Sequence, residues 1–462
     1  MPSARQQAAA APRPELSWEE LCRVDREVFW HPFTQMAEYE PLIFTHGQGC
    51  WLYDHQGRRY LDGVSSLWCN VHGHRHPHLD AALRRQLEQV AHTTALGASN
   101  PAAIRLAARL VELAPGGLEH VYFSDDGSTA VEVALKMAFQ YWRQCPEPRP
   151  EKTTFLALAE AYHGDTLGSV SVGGVELFHG MFRPLLFPVV RAPVPDTYRL
   201  PQGVSPKGAC RYYLDRIEHL LREHHHRLAA VVMEPLVQAA AGMVMHPPGL
   251  LRGVAELCRR YEVLLILDEV AVGMGRTGTL FACQQEGVVP DFLCLAKGLT
   301  GGYLPLAATL TTHRVWEAFL GRYEEARQFF HGHTYCGNPL GAAVALATLE
   351  VFEKERTLEH LPEKARRLQH HLDRIAQLPP VGDVRRRGLI AAVELVRNRQ
   401  TKEPFPWEEK RGWAVCLEAR RRGVFLRPLG NVVVLMPPLC VSLEELDLLG
   451  QVVYESIQAV FS

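Results

Sequence analysis

The sequence predicts an α/β protein: a large domain on a mostly parallel sheet flanked by helices, plus a small α+β domain contributed by the N- and C-terminal segments. Three observations point there. Apolar runs of strand length recur with little polar interruption, as in strands covered on both faces. Stretches with one apolar helical stripe separate several of them. From about residue 340 the texture changes to long charged helices alternating with short strands.

Taken in order, residues 35 to 68 hold short strands with turn signals. In "CWLYDHQGRRYLDG" the turn falls at Gln56-Gly57. Strand-like runs then follow at "HVYFS" (120–124), "TTFLALAE" (153–160), "LAAVVMEP" (228–235), "VLLILDEV" (263–270), "DFLCLAKG" (291–298) and "LPLAATLTT" (304–312). Thr129 to Trp142 and Leu250 to Tyr261 read as amphipathic helices between them. The C-terminal part runs through "EKARRLQHHLDRIAQL", "GLIAAVELV", a basic helix and "GVFLRPLGNVVVLMPPL". The expected boundaries are an N-terminal segment, 1–75, packing with the small domain; a large domain, 76–339; and the small domain, 340–462. The runs "HHH" (224–226) and "RRR" (385–387 and 420–422) read as solvated faces.

Composition narrows the function. With 49 Lys+Arg against 51 Asp+Glu the formal charge is −2, so no positive field would gather nucleic acid or an anionic membrane. No run approaches the roughly 20 apolar residues of a membrane span. The opening "MPSARQQAAAAPRPELSWEE" lacks the apolar core of a signal peptide and reads as a partly disordered lead-in. A transit peptide is the alternative, opposed by Glu15, Glu19 and Glu20. Eleven cysteines with no C-x-x-C suggest free thiols in a reducing cytoplasm. A small-molecule enzyme fits these limits.

"LILDEVAVGMGRTG" places Asp268 at the carboxyl end of an apolar strand, where open α/β sheets bind ligands. On its own it could simply cap the following turn. "LCLAKGLTGG" ends the next strand on Lys297, and a desolvated lysine has a lowered pKa and becomes a nucleophilic amine. Together they match what pyridoxal phosphate requires: a carboxylate that keeps the pyridine nitrogen protonated and an amine that holds the aldehyde. "YFSDDGSTAVEVALK" offers a phosphate site at a helix start, with Gly127 admitting the backbone and Ser128 adding a hydroxyl. "AYHGDTLG" supplies Tyr162 as a flat neighbour for the ring, with His163 and Asp165 beside it.

The set resembles the class III, fold type I, pyridoxal phosphate-dependent aminotransferases. The likeness runs in chain order through "FSDDGSTAVEVALKMAFQYW", "AYHGDTLG", "MEPLVQAAAGM", "LILDEVAVGMGRTG", "CLAKGLTGGYLPLAATLTT" and "HGHTYCGNPLGAA", over about residues 30 to 440. "HPFTQM", "SSLWCNVHGHRHP" and "LRPLGNVVVLMPPL" are similar to the branch that aminates 8-amino-7-oxononanoate in biotin biosynthesis. The resemblance implies that Lys297, Asp268 and Tyr162 are catalytic. It implies a cofactor site of Gly127, Ser128, Tyr162, Asp268, Val270, Lys297 and Thr334, with Thr334 reaching across from the neighbouring subunit of a homodimer. Phe33, Leu67, Trp68, Tyr162, Lys297, Gly332, His333 and Arg427 would meet substrate, Arg427 binding the carboxylate of the oxo-acid. Asp165 and Glu234 would stand behind the ring.

Against members that use S-adenosylmethionine as donor, this chain has Phe33 for a tyrosine, Leu67 for a tryptophan, His333 for a proline and Leu429 for a phenylalanine. The donor is therefore expected to be S-adenosylmethionine or lysine. A broader ω-amino acid or diamine aminotransferase is the alternative within the class. "GMGRTG" (273–278) has dinucleotide-type glycine spacing, but it lies late in the chain with no ribose-binding acid after it. Finally, "HGHRHPH" sets His72, His74, His76 and His78 at alternate positions. Gly73 and Pro77 interrupt any strand there, so a loop is expected, with His72 and His74 bonded locally and no metal held.

Overall fold

The computed structural model describes residues 16–462. Most of the "MPSARQQAAAAPRPELSWEE" lead-in, including Glu15, lies outside them. Strands β1 (Phe44–Gln48), β2 (Trp51–Asp54) and β3 (Arg59–Asp62) form an antiparallel meander, with the β2–β3 turn at the predicted Gln56-Gly57.

The central sheet contains β4 (Leu118–Ser124), β5 (Thr154–Leu158), β6 (Val189–Ala192), β7 (Leu228–Met233), β10 (Leu264–Asp268), β11 (Phe292–Leu295) and β12 (Ala307–Thr312). A short hairpin of β8 (Val237–Gln238) and β9 (Val244–Met245) follows β7. The sheet order is β4-β12-β11-β10-β7-β5-β6, parallel from β11 to β6, with β12 antiparallel to both its neighbours. The six predicted runs are all strands of this sheet. Edge strand β6, "VVRA", was too short to stand out. Helix Gly127–Gln144 packs on the sheet through Ala130, Val131, Ala134, Leu135 and Ala138, all buried.

In the C-terminal part, β13 (Val381–Arg387), β14 (Ile390–Asn398), β15 (Glu403–Pro404), β17 (Pro428–Leu429) and β18 (Val432–Leu435) pair antiparallel. Strand β16 (Val424–Phe425) instead pairs with β3, so the two ends of the chain share a sheet. "RRR" at 385–387 is not a solvated face. Arg385 is largely buried, bonding Glu394 at 2.7 Å, Asp383 at 2.8 Å and the Met243 carbonyl at 2.9 Å. Glu394 also pairs with Arg199, so this arginine closes a buried charge network between the C-terminal sheet and the loop after β8.

The histidine stretch is a loop followed by helix Pro77–Leu87, and each ring finds a different partner. His74 Nε2 lies 2.9 Å from Asp62, His76 Nε2 2.8 Å from Glu355, and His78 Nε2 2.7 Å from Glu350. His72 Nε2 bonds the Thr348 carbonyl at 3.1 Å, a partner far along the chain rather than the local one expected. Helix Pro339–Lys354 packs across this loop, and only the folded chain brings that carbonyl there. The "GMGRTG" loop likewise serves packing. Arg276 is buried and donates to the Pro437 carbonyl at 2.7 Å and the Asn70 carbonyl at 3.1 Å, joining three segments. No helix among the described residues is long and apolar enough to cross a membrane.

Candidate active site

Asp268 is the last residue of β10, and Lys297 follows β11 after one intervening alanine. The strands are adjacent and parallel, with Asp268 level with Cys294, so both side chains emerge at the same carboxyl edge. They open into a cavity of about 1180 Å³, also lined by Gly127, Ser128, Tyr162, Val270, Trp68 and Arg427.

Asp268 is 4% exposed and is held from two sides. Its Oδ1 accepts from the Val270 N–H at 3.0 Å, and its Oδ2 lies 2.8 Å from His163 Nδ1. The ring of His163 is buried and its other nitrogen has no partner within the described residues, so its one bond fixes the carboxylate. The Lys297 amine is ringed by protein, and burial pulls its pKa below the ordinary lysine value against the attraction of Asp268 and Glu234. Its Nζ lies 4.9 Å from the centre of the Trp68 ring, a cation–π contact. Lys297, Trp68, Ser66 and Phe33 have φ of 46°, 65°, 61° and 52°. Non-glycine residues seldom adopt this conformation; Phe33, Trp68 and Lys297 line the cavity, and Ser66 lies two residues before Trp68.

Tyr162 donates its hydroxyl to Asp165 at 2.7 Å and its N–H to Glu234 at 3.2 Å. Glu234 also accepts from the Ala239 N–H at 2.9 Å, and burial pushes its carboxyl up to about 7. Across the chain fold, Gly127 and Ser128 open helix Gly127–Gln144. Asp126 caps it by accepting from the Thr129 N–H at 2.9 Å, leaving the N–H groups of Gly127 and Ser128 without partners among the described residues. A Cβ on Gly127 would sit 2.5 Å from the Val270 side chain, and one on Gly164 would overlap the Ser128 hydroxyl. Glycine is what lets three loops converge here.

At the mouth, Phe33, Leu67, Leu177, Phe178, Trp407 and Leu429 make an apolar and aromatic wall beside Arg427. Among the described residues, no carboxylate lies within ion-pair distance of Arg427. Gly332, His333 and Thr334 do not line this cavity; Gly332 and Thr334 are exposed on its outside. His333 is one contact away, its Nδ1 lying 2.9 Å from Asp125, which does line it.

The sequence profile of the family described as aminotransferase class-III matches residues 34–457. The chain belongs to the class III aminotransferases. Its relatives include the adenosylmethionine-8-amino-7-oxononanoate aminotransferase of Geobacter sulfurreducens, 54% identical over 97% of this chain and 99% of that one. The protein of the same description from Aquifex aeolicus is 53% identical over 94% and 96%. Among solved structures, the enzyme so described from Methanocaldococcus jannaschii superposes with a TM-score of 0.89 at 43% identity, covering 95% and 98%. An (S)-enantioselective omega-transaminase from Thermomicrobium roseum gives 0.92 at 36% identity, covering 97% and 99%.

This aminotransferase is pyridoxal phosphate-dependent, as its class is. Its cavity fits that group on its own chemistry. An amine whose pKa burial lowers, a carboxylate fixed by an imidazole, and two N–H groups at a helix start without partners among the described residues are the complements of an aldehyde, a pyridine nitrogen and a phosphate. Sequence reasoning gave no role to His163, Asp125 or Trp407. The adjacency of His163 to Tyr162 was the one available signal for it. Nothing local marks Trp407, which comes from the segment before helix Arg411–Arg421.

Proposed function

We propose that this aminotransferase transfers an amino group to 8-amino-7-oxononanoate, producing 7,8-diaminononanoate for biotin biosynthesis. The observation that carries the reading is Arg427, a half-buried guanidinium with no carboxylate partner among the described residues, set at the mouth of an apolar-walled cavity. A planar fork of that kind suits a bidentate pair with the acceptor's carboxylate, while the wall suits its methylene chain. The names of the relatives agree with this acceptor.

In this reading Lys297, Asp268 and Tyr162 are the catalytic residues. Bound pyridoxal phosphate supplies an electron sink for the carbon that carries the amine. Gly127 and Ser128 would hold its phosphate with N–H groups that have no partner among the described residues, joined by Thr334 of the partner subunit. Tyr162 and Val270 would flank its ring, and Asp268, held in place by His163, would meet its pyridine nitrogen. Lys297 Nζ would take a proton from the donor's carbon and later return one to the acceptor's carbon, a role the downward pull of burial on its pKa favours. Donor product leaves before acceptor enters, so one cavity serves both molecules in turn. Phe33, Leu67 and Trp68 line the channel they share, with Gly332 and His333 closing it from the partner subunit.

The exposed Gly332–Thr334 loop supports a homodimer in which each copy completes the other's cavity. We keep the domain limits 1–75, 76–339 and 340–462 as part of this reading, and free thiols fit a cytoplasmic enzyme. S-adenosylmethionine is the donor named in the relatives' descriptions. Lysine is favoured by Phe33 and Leu67, which remove a hydroxyl and a flat ring from the channel. The test is amination of 8-amino-7-oxononanoate with each donor in turn. Diaminononanoate from one of them is expected, and none from either would overturn the acceptor.

A further inference from the structure

Cys50 and Cys440 come from opposite ends of the chain, yet their sulfurs lie 3.6 Å apart. Cys50 immediately precedes β2 and is 3% exposed, whereas Cys440 is half-buried in the turn before helix Leu443–Phe461. The frame around them is fixed by backbone bonds. Gly49 exchanges two hydrogen bonds with His74, at 3.0 and 2.7 Å, and the Leu439 N–H donates to the Val71 carbonyl at 2.8 Å. A Cβ on Gly73 would come within 3.0 Å of Cys440 Sγ, so the histidine-rich loop forms one wall of the sulfur pair. A disulfide needs the sulfurs about 2.05 Å apart, a further approach of roughly 1.5 Å.

We propose that Cys50 and Cys440 form a redox site, oxidised by a hydroperoxide to a reversible disulfide that ties the β1–β3 meander to the C-terminal segment. The more accessible Cys440 is the attacking sulfur. Its pKa is lowered by the hydrogen bond from Cys50 and by the nearby Lys364 ammonium, whose Nζ donates to the Leu439 carbonyl at 2.7 Å; burial, Glu445 and Glu355 oppose this. The Cys440 thiolate attacks the peroxide: an S–O bond forms, the O–O bond breaks, and the alkoxide leaves as an alcohol with the thiol's proton. Cys50 then loses its proton and attacks the Cys440 sulfur, forming S–S and expelling the hydroxyl as water. Two thiols give up two electrons and one peroxide takes them. Other buried thiols lack this arrangement: burial pushes Cys258 and Cys416 far up, and among the described residues neither bonds another cysteine.

The experiment treats the full-length protein with tert-butyl hydroperoxide, blocks free thiols with N-ethylmaleimide and maps peptides by mass spectrometry. A Cys50–Cys440 cross-linked peptide short of two hydrogens, abolished by dithiothreitol, is expected. In Cys50→Ser, Cys440 should stop at a sulfenic acid trapped by dimedone, and in Cys440→Ser, Cys50 should stay reduced. Sulfinic acid on Cys440 of the unmodified chain without the cross-link, or both thiols still alkylated when the equally half-buried Cys22 has oxidised, would overturn the proposal. Should either variant fail to fold, the map of the unmodified chain decides alone.

Discussion

Replacing Arg427 by alanine tests the acceptor site most directly. Arg427 lines the cavity from the link between β16 and β17, and no carboxylate among the described residues competes for it. A bidentate pair supplies two charge-assisted hydrogen bonds, each worth about 1.5 kcal/mol at a half-buried site that water still reaches. Together they amount to about 3 kcal/mol, or roughly a hundredfold in acceptor affinity. Arg427→Lys keeps the charge but only one point of contact, so about tenfold of the loss should remain. The assay is a single turnover: enzyme carrying the amino form of its cofactor is mixed with 8-amino-7-oxononanoate, and rate is followed against acceptor concentration. The half-saturating concentration should rise about a hundredfold in the alanine variant, with a much smaller change in the limiting rate. An unchanged half-saturation, or a loss confined to the limiting rate, would show that the guanidinium does not meet the carboxylate.

Three further outcomes follow from the site and its surroundings. Lys297→Ala removes the proton-carrying amine and should slow donor turnover by at least about 10³-fold, while equilibrium dialysis still finds cofactor bound through Gly127 and Ser128. Gly164→Ala places a Cβ on the Ser128 hydroxyl at a φ of 118°, and fluorescence titration should show cofactor affinity falling at least about tenfold while circular dichroism is preserved. Glu269 is buried, accepts N–H bonds from Ala282 and Cys283, and has its carboxyl pushed by burial up to about 7. Its folded pKa lies above the unfolded value of 4.5, so its contribution is present below that pH and is lost as pH rises through about 7, by up to about 3 kcal/mol. Urea unfolding of the cofactor-free protein at pH 5 and pH 8 should show that difference shrink in Glu269→Gln.

The sequence by itself determined which residues could carry the chemistry and which elements present them. Asp268 and Lys297 stand out as a pair: each alone has an ordinary structural explanation, but an acid and an amine ending two consecutive apolar strands fit a single cofactor, and that pattern is local. The helix start at Gly127-Ser128 is local for the same reason. Contacts between distant segments carry no such mark. The bond from His163 to Asp268, the Thr348 carbonyl against His72, Arg385 turned into a charge network and Trp407 beside Arg427 each join residues whose separation no periodicity encodes. The Gly332–Thr334 loop makes the same point: Gly332 and Thr334 are exposed and none of the three lines the cavity, while His333 reaches the cavity-lining Asp125. Strand and helix periods report only on the next few residues, whereas burial and hydrogen-bond partners are settled when the whole chain closes on itself.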